Sequence, residues 1–155
     1  MNSTYWDILA AVQASLRMVS GLTGSQVKIR PKPMVSKDAG DTLPLVIVCP
    51  RRDSWEEVVE LQVDNNCHID YPVLVAVVID NAFDQASLRW QMGVRHAARL
   101  KLFRPTALQP VVPSTFDVSY NPNPRGADSS ALSPNLDASF QEFTFRASEQ
   151  RAEEP

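Results

Sequence analysis

Apolar and polar residues alternate along this chain with two different periods, and the period predicts the elements. Ile8, Leu9, Val12, Leu16 and Val19 recur at helical spacing. Thr4 and Asp7 precede them as cap and first-turn acid, and Gly21 follows as a left-handed stop. One amphipathic helix over residues 4–20 is expected. "QVKIRPKP" holds only a short strand, because Pro31 and Pro33 cannot donate to a ladder. "LPLVIVCP" (43–50) is a continuous apolar run between prolines, as a buried central strand requires. "WEEVVELQVDNNCHIDYPVLVAVVID" reads as a hairpin turned at "DNN". In its first arm Val59, Leu61 and Val63 alternate with Glu60, Gln62 and Asp64, which gives one wet face. In its second arm Val73–Ile79 is apolar on both faces and belongs inside a sheet.

"DNAFDQASLRWQMGVRHAARLKLF" is the second helix, with Asn81 as cap and Asp84 in its first turn. Phe83, Trp90, Val94 and Ala97 form its stripe, with Leu88 and Met92 beside it. Arg95, Arg99, Lys101 and Arg104 load the cationic end, where the helix dipole favours them, and Pro105 stops the helix. Residues 105–137 form a connection interrupted by the strand "TFDVSY" (115–120). The stretch 121–135, "NPNPRGADSSALSPN", has no periodicity and is too long to be filler in a compact domain. A closing strand over 137–148 carries Phe140, Phe143 and Phe145. A strand that arrives so late must insert beside one already in place, either "TFDVSY" or Val73–Ile79. A charged tail, 149–155, ends the chain.

This order predicts an α+β fold in one domain over residues 1–155: a single mixed, largely antiparallel sheet with two main helices packed on it. Its core is expected to set Leu45, Val46, Ile47, Val48, Val73, Val75, Val77 and Ile79 against Trp90 and Val94.

Composition narrows the class. Of 155 residues, 44% are hydrophobic and 21% charged, which suits a globular chain and not a disordered one. A net charge of −3 argues against specific nucleic-acid binding, which needs a basic surface. Twelve prolines against five glycines imply stiff, extended connections. Cys49 and Cys67 lack a metal-ligand spacing and are expected as buried free thiols. The first 21 residues lack a basic leader, carry Asp7 and Arg17, and fit neither a signal peptide nor a membrane span, so a reducing cytoplasm is expected.

No phosphate-binding glycine loop, zinc-protease helix or nucleophile elbow occurs. Cys67 and His68 are adjacent, so on a strand they point to opposite faces and one cannot serve as the other's base. His96 sits in a cationic helix face. Glu56, Glu57, Glu60 and Asp64 line an acidic arm, and Asp80 and Asp84 cluster at a helix start. Paired acids can do proton-transfer chemistry, but in strand and cap positions they solubilise and cap. Neither a catalytic residue nor a cofactor or metal site is expected.

The succession "YWDILAAVQASL", "LPLVIVCP", "YPVLVAVVID", "FDQASLRWQMGVRHAARLKLF" and "FDVSY…FQEFTFRASEQR" resembles the tail terminators and related neck proteins of tailed bacteriophages. The likeness lies in the order and length of elements across most of the chain, and no invariant signature carries it. It implies a structural virion protein, assembled in the bacterial host cytoplasm. Such a protomer closes as a homo-oligomeric ring, six-fold, on the tail tube. Its partners would be itself, the tube protein and the head-tail connector or stopper, with no membrane and no catalytic residue. Contacts would involve Glu57, Glu60, Arg95, Arg99, Arg104, Asn123, Arg125 and Asp128. The length of 121–135 leaves a different neck or head-completion role open. The residues themselves also leave open a small enzyme using Glu57 and Glu60, or a monomeric module holding a peptide or nucleic acid in 121–135.

Overall fold

The computed structural model describes residues 3–51, 57–61, 66–80, 84–124 and 135–150, with the backbone alone at 57–61. Helix α1 spans Thr4–Arg17. Its cap is Ser3, not Thr4: the Ser3 hydroxyl accepts the amide of Trp6 at 3.0 Å. The helix ends three residues earlier than its apolar spacing predicts. The Met18 amide already turns back to the Leu16 and Ser15 carbonyls, and Gly21, at φ +89°, completes the exit.

Six strands form one sheet: β1 (Val27–Ile29), β2 (Leu45–Pro50), β3 (Glu57–Leu61), β4 (Asn66–Asp80), β5 (Thr115–Asn121) and β6 (Leu136–Gln150). Their order is β1-β2-β4-β6-β5, with β3 also on β4. Only the β1–β2 pairing is parallel among the described residues, so the sheet is mixed and largely antiparallel, as expected. Strand β4 is its hub. Strand β6 follows one edge of β4 from Asn66↔Gln150 to Asp80↔Leu136. The other edge is shared, with β2 against residues 73–78 and β3 against residues 67–70. Tyr5 sits where β2 gives way to β3: its hydroxyl donates to the Pro72 carbonyl and accepts the Arg51 amide at 3.0 Å. The late phenylalanine strand lies between β4 and β5, so both expected partners flank it.

Helix α2 spans Gln85–Leu102 and packs with α1 on the same face of the sheet. Its cap is Asp84, which accepts the Ala86 amide at 2.9 Å; Asn81 and Phe83 lie outside the described residues. The buried stripe is Gln91, Val94, Ala98 and Leu102, turned by one residue from the expected Trp90–Val94–Ala97 line. Trp90 and Ala97 flank the core. Gln91 takes an inward position because its side-chain amide donates to the Val77 carbonyl at 3.0 Å, a bond that hydrophobic spacing does not register.

The expected core divides between two faces. Val46, Val48, Val73, Val75 and Val77 pack beneath the helices with Phe143 and Phe145. Leu45 and Ile47 point the other way and cluster with Cys49, Leu74, Ala76 and Val78. Strict alternation along β2 and β4 requires this split, so those two residues do not meet Trp90 or Val94. Val35 and Leu43 pack over the second cluster. Their segment is held down by Asp41, whose buried carboxylate accepts from Lys28 Nζ at 2.7 Å, Arg30 Nη1 at 2.5 Å and Nη2 at 2.6 Å, and the Ser36 amide at 2.8 Å.

Candidate functional site

The outward side of α2 is the most distinctive surface. Between Gln85 and Leu102 the helix carries Arg89, Arg95, Arg99 and Lys101 and no acidic residue. Leu88, Met92 and Leu100 are exposed along it, and Phe103 continues the line past its end. Met92 is 63% exposed. Phe103 packs edge-on against Tyr120, centroids 5.4 Å apart, so the helix end is anchored to β5.

The cations have different roles. Arg95 is committed inside the protomer: Nη1 donates to Ser139 Oγ at 2.8 Å and the Phe140 carbonyl at 2.7 Å, and Nη2 to the Pro122 carbonyl at 2.5 Å. It therefore ties the start of the connection after β5 to strand β6. Buried Gln141 supports it, donating to the Arg95 carbonyl at 3.1 Å and to the Tyr120 hydroxyl at 2.8 Å. Arg99 and Arg104 are exposed; Arg99 Nη2 lies 3.1 Å from His96 Nδ1.

Beside this face, between the end of α1 and the middle of α2, runs a groove of about 420 Å³. Val19, Gly21, Trp90, Gly93, Ala97 and Leu100 line it, with Lys101 at the rim. Gly93 stands inside the helix, where glycine costs about 1 kcal/mol relative to alanine. A Cβ placed there would meet no heavy atom within 4 Å among the described residues, so none of them gives a steric reason for the glycine.

The acidic candidates lie elsewhere. Glu57 stands opposite Asp70 and Glu60 opposite His68; a register shift between Val58 and Glu60 gives both glutamates β4 partners of the same parity. Asp70 pairs with Arg146 at 3.0 Å. His68 packs on Phe116 with centroids 4.7 Å apart, while Cys67 joins the core under the helices, so the neighbours do face opposite ways. Asp84 is occupied as a cap, and exposed Asp80 ends β4. Asn123 is exposed, its amide donating to Asn121 Oδ1 at 3.0 Å. Glu56, Asp64, Arg125 and Asp128 lie outside the described residues.

Both cysteines are free and buried. Burial pushes the Cys49 thiol up to about 12, against a smaller opposing pull from Arg30. The hydrogen bonds from Arg30 hold Asp41 well below the usual carboxylate range despite its desolvation, with Lys28 and the Ser36 amide adding to the effect. Among the described residues no three His, Cys, Asp or Glu side chains come together as a metal cluster, and no helix is long and apolar enough to cross a membrane.

Sequence reasoning found the cations of α2 but missed the groove, the Arg95 clamp and the Asp41 clasp. The groove joins the end of α1 to the middle of α2, distant in the chain, and only Gly93, an unforced glycine in a helix, signalled it. No protein-family model matches the chain, and no curated protein matches it in sequence.

Proposed function

We propose that this protein is a structural virion component of a tailed bacteriophage. In this reading it is a tail terminator that closes as a six-fold ring on the end of the tail tube and presents a docking face to the head connector. The observation that carries the reading is the outer side of α2, where exposed Leu88, Met92, Leu100 and Phe103 lie among Arg99, Lys101 and Arg104. Apolar residues gathered on one face beside uncompensated cations suit a surface that another protein covers. The acids it would meet stand on a separate element, at Glu57 and Glu60 of β3. A charge pattern divided in this way sets orientation and encounter more than strength. The order of elements that resembles the terminators supports the same reading. So does the commitment of Asp41, Asp84 and Cys49 to clasp, cap and core, which gives them work other than catalysis.

The test is tube growth. Tube protein from the same genome, polymerised with this protein present, is expected to give tubes arrested in length with a ring at one end in negative-stain images. Tubes that grow unchecked with bare ends would reject the terminator assignment.

A further inference from the structure

The groove between α1 and α2 continues along the second helix. A further depression, of about 570 Å³, meets it at Trp90 and is lined by Gln85, Ala86 and Arg89. Together they follow α2 from Gln85 to Lys101, about 24 Å of helix. The bed is apolar, formed by Val19, Trp90, Ala97 and Leu100, and Gly93 leaves its middle open. Exposed Arg89 and Lys101 stand towards its two ends, and neither is paired among the described residues. Helix α2 has no acid to balance them. Asp84, just before it, is engaged with Ala86 and Ser87. The facing bank, from Val19 to Gly21, adds no charge.

We infer that this groove receives an amphipathic helix of another protein, one whose apolar face is bordered by Asp or Glu. Charge selects the chemistry: an apolar strip with an unpaired cation towards each end is complementary to an apolar segment carrying acids. Shape selects a helix. The backbone of α2 spends its hydrogen bonds within itself, so it offers no free edge to an added strand. A helix laid along it needs only apolar anchors at successive turns, and about 16 residues would span the groove. Gly93 suits that use. Glycine weakens a helix, and no described neighbour requires one here, while the open space lets a second helix come close. A second copy of the chain has no such helix among its described residues: α1 carries Asp7 as its one acid, and α2 carries none. Groove set against groove would oppose cations to cations. The inference goes beyond the ring reading and does not rest on it, since it needs neither tube nor ring.

The probe is a fluorescent helical peptide of about 16 residues with a leucine face flanked by glutamates. Its control is the same peptide with lysines in place of the glutamates. Binding to the full chain is read by fluorescence anisotropy, with a circular dichroism melt of each variant. The glutamate peptide should bind about 10-fold or more tighter than the lysine peptide, and high salt should narrow the gap. Gly93→Leu fills open space and favours the helix, so its melting temperature should hold or rise. Its affinity for the glutamate peptide should fall by about 30-fold or more, the loss typical of a central interface position. Lys101→Glu should weaken the same peptide. Arg99→Glu makes the same change of charge two residues away, on another side of the helix, and should leave binding nearly unaltered. Failure of the glutamate peptide to bind, equal binding of both peptides, or binding that Gly93→Leu leaves intact would overturn the assignment. So would a parent chain that shows no glutamate preference but self-associates and loses that association in Gly93→Leu, because the groove would then hold a second copy.

Discussion

Asp41 shows how one residue can govern a surface. Its carboxylate ties Lys28 and Arg30 of the β1 edge to the segment that carries Val35 and Leu43 over the second apolar cluster. Breaking a buried pair leaves cations without their counter-charge, so Asp41→Asn should cost about 3 kcal/mol, the low end for such a loss because both cations keep some solvent. The carboxyl is held below its ordinary range, so its contribution is complete above the unfolded-state value of about 4 and is lost as pH falls below it. Denaturant melts from pH 7 to pH 3 should show the parent losing the first part of this increment below pH 4, the rest following only at lower pH, and Asp41→Asn lacking that part of the slope. Parallel slopes would contradict the clasp. Nothing in the local sequence foretold it: Asp41 sits in a polar stretch, and only folding brings Lys28 and Arg30 onto it.

At the scale of elements, the apolar runs and turn residues were enough to place both helices, the hairpin, and the strands from β2 to β6. Continuous runs in "LVIVC" and "VLVAVVI" also told that β2 and β4 would be covered on both faces. They did not tell what covers each face, because a run without polar gaps has no phase. Hence Leu45 and Ile47 were set against α2 when they pack on the opposite side. The α2 stripe was misplaced by one residue for a different reason, since a buried glutamine satisfied by Val77 looks polar to any periodicity. The two-faced core is testable. Ile47 and Val77 are both fully buried, one in each cluster. Ile47→Ala should destabilise by about 2–5 kcal/mol, and Val77→Ala, which removes fewer atoms, by less. Melting temperatures unchanged in both variants would refute the placement of the sheet.

Across the whole molecule, the long β4–β6 ribbon sets the geometry. Each strand runs 15 residues, about 48 Å, while α2 covers about 27 Å. The ribbon therefore outreaches the helix layer, and β3 pairs with it at residues 67–70, apart from the Gln91 contact of α2 at Val77. That separation was only half legible in the sequence. The charges could be counted along the chain, but the distance between them, and the groove beside Gly93, exist only once the ribbon is built. The same folding removes Arg95 from the set of free cations by turning it onto Pro122, Ser139 and Phe140. The ring proposed above needs each protomer to present two different surfaces, and closure depends on the rotation between neighbours. The most direct measurement is the native mass of the purified full chain, taken alone and with tail tubes. A mass of six protomers in at least one of the two conditions is the expected result; a single protomer mass in both would contradict the account.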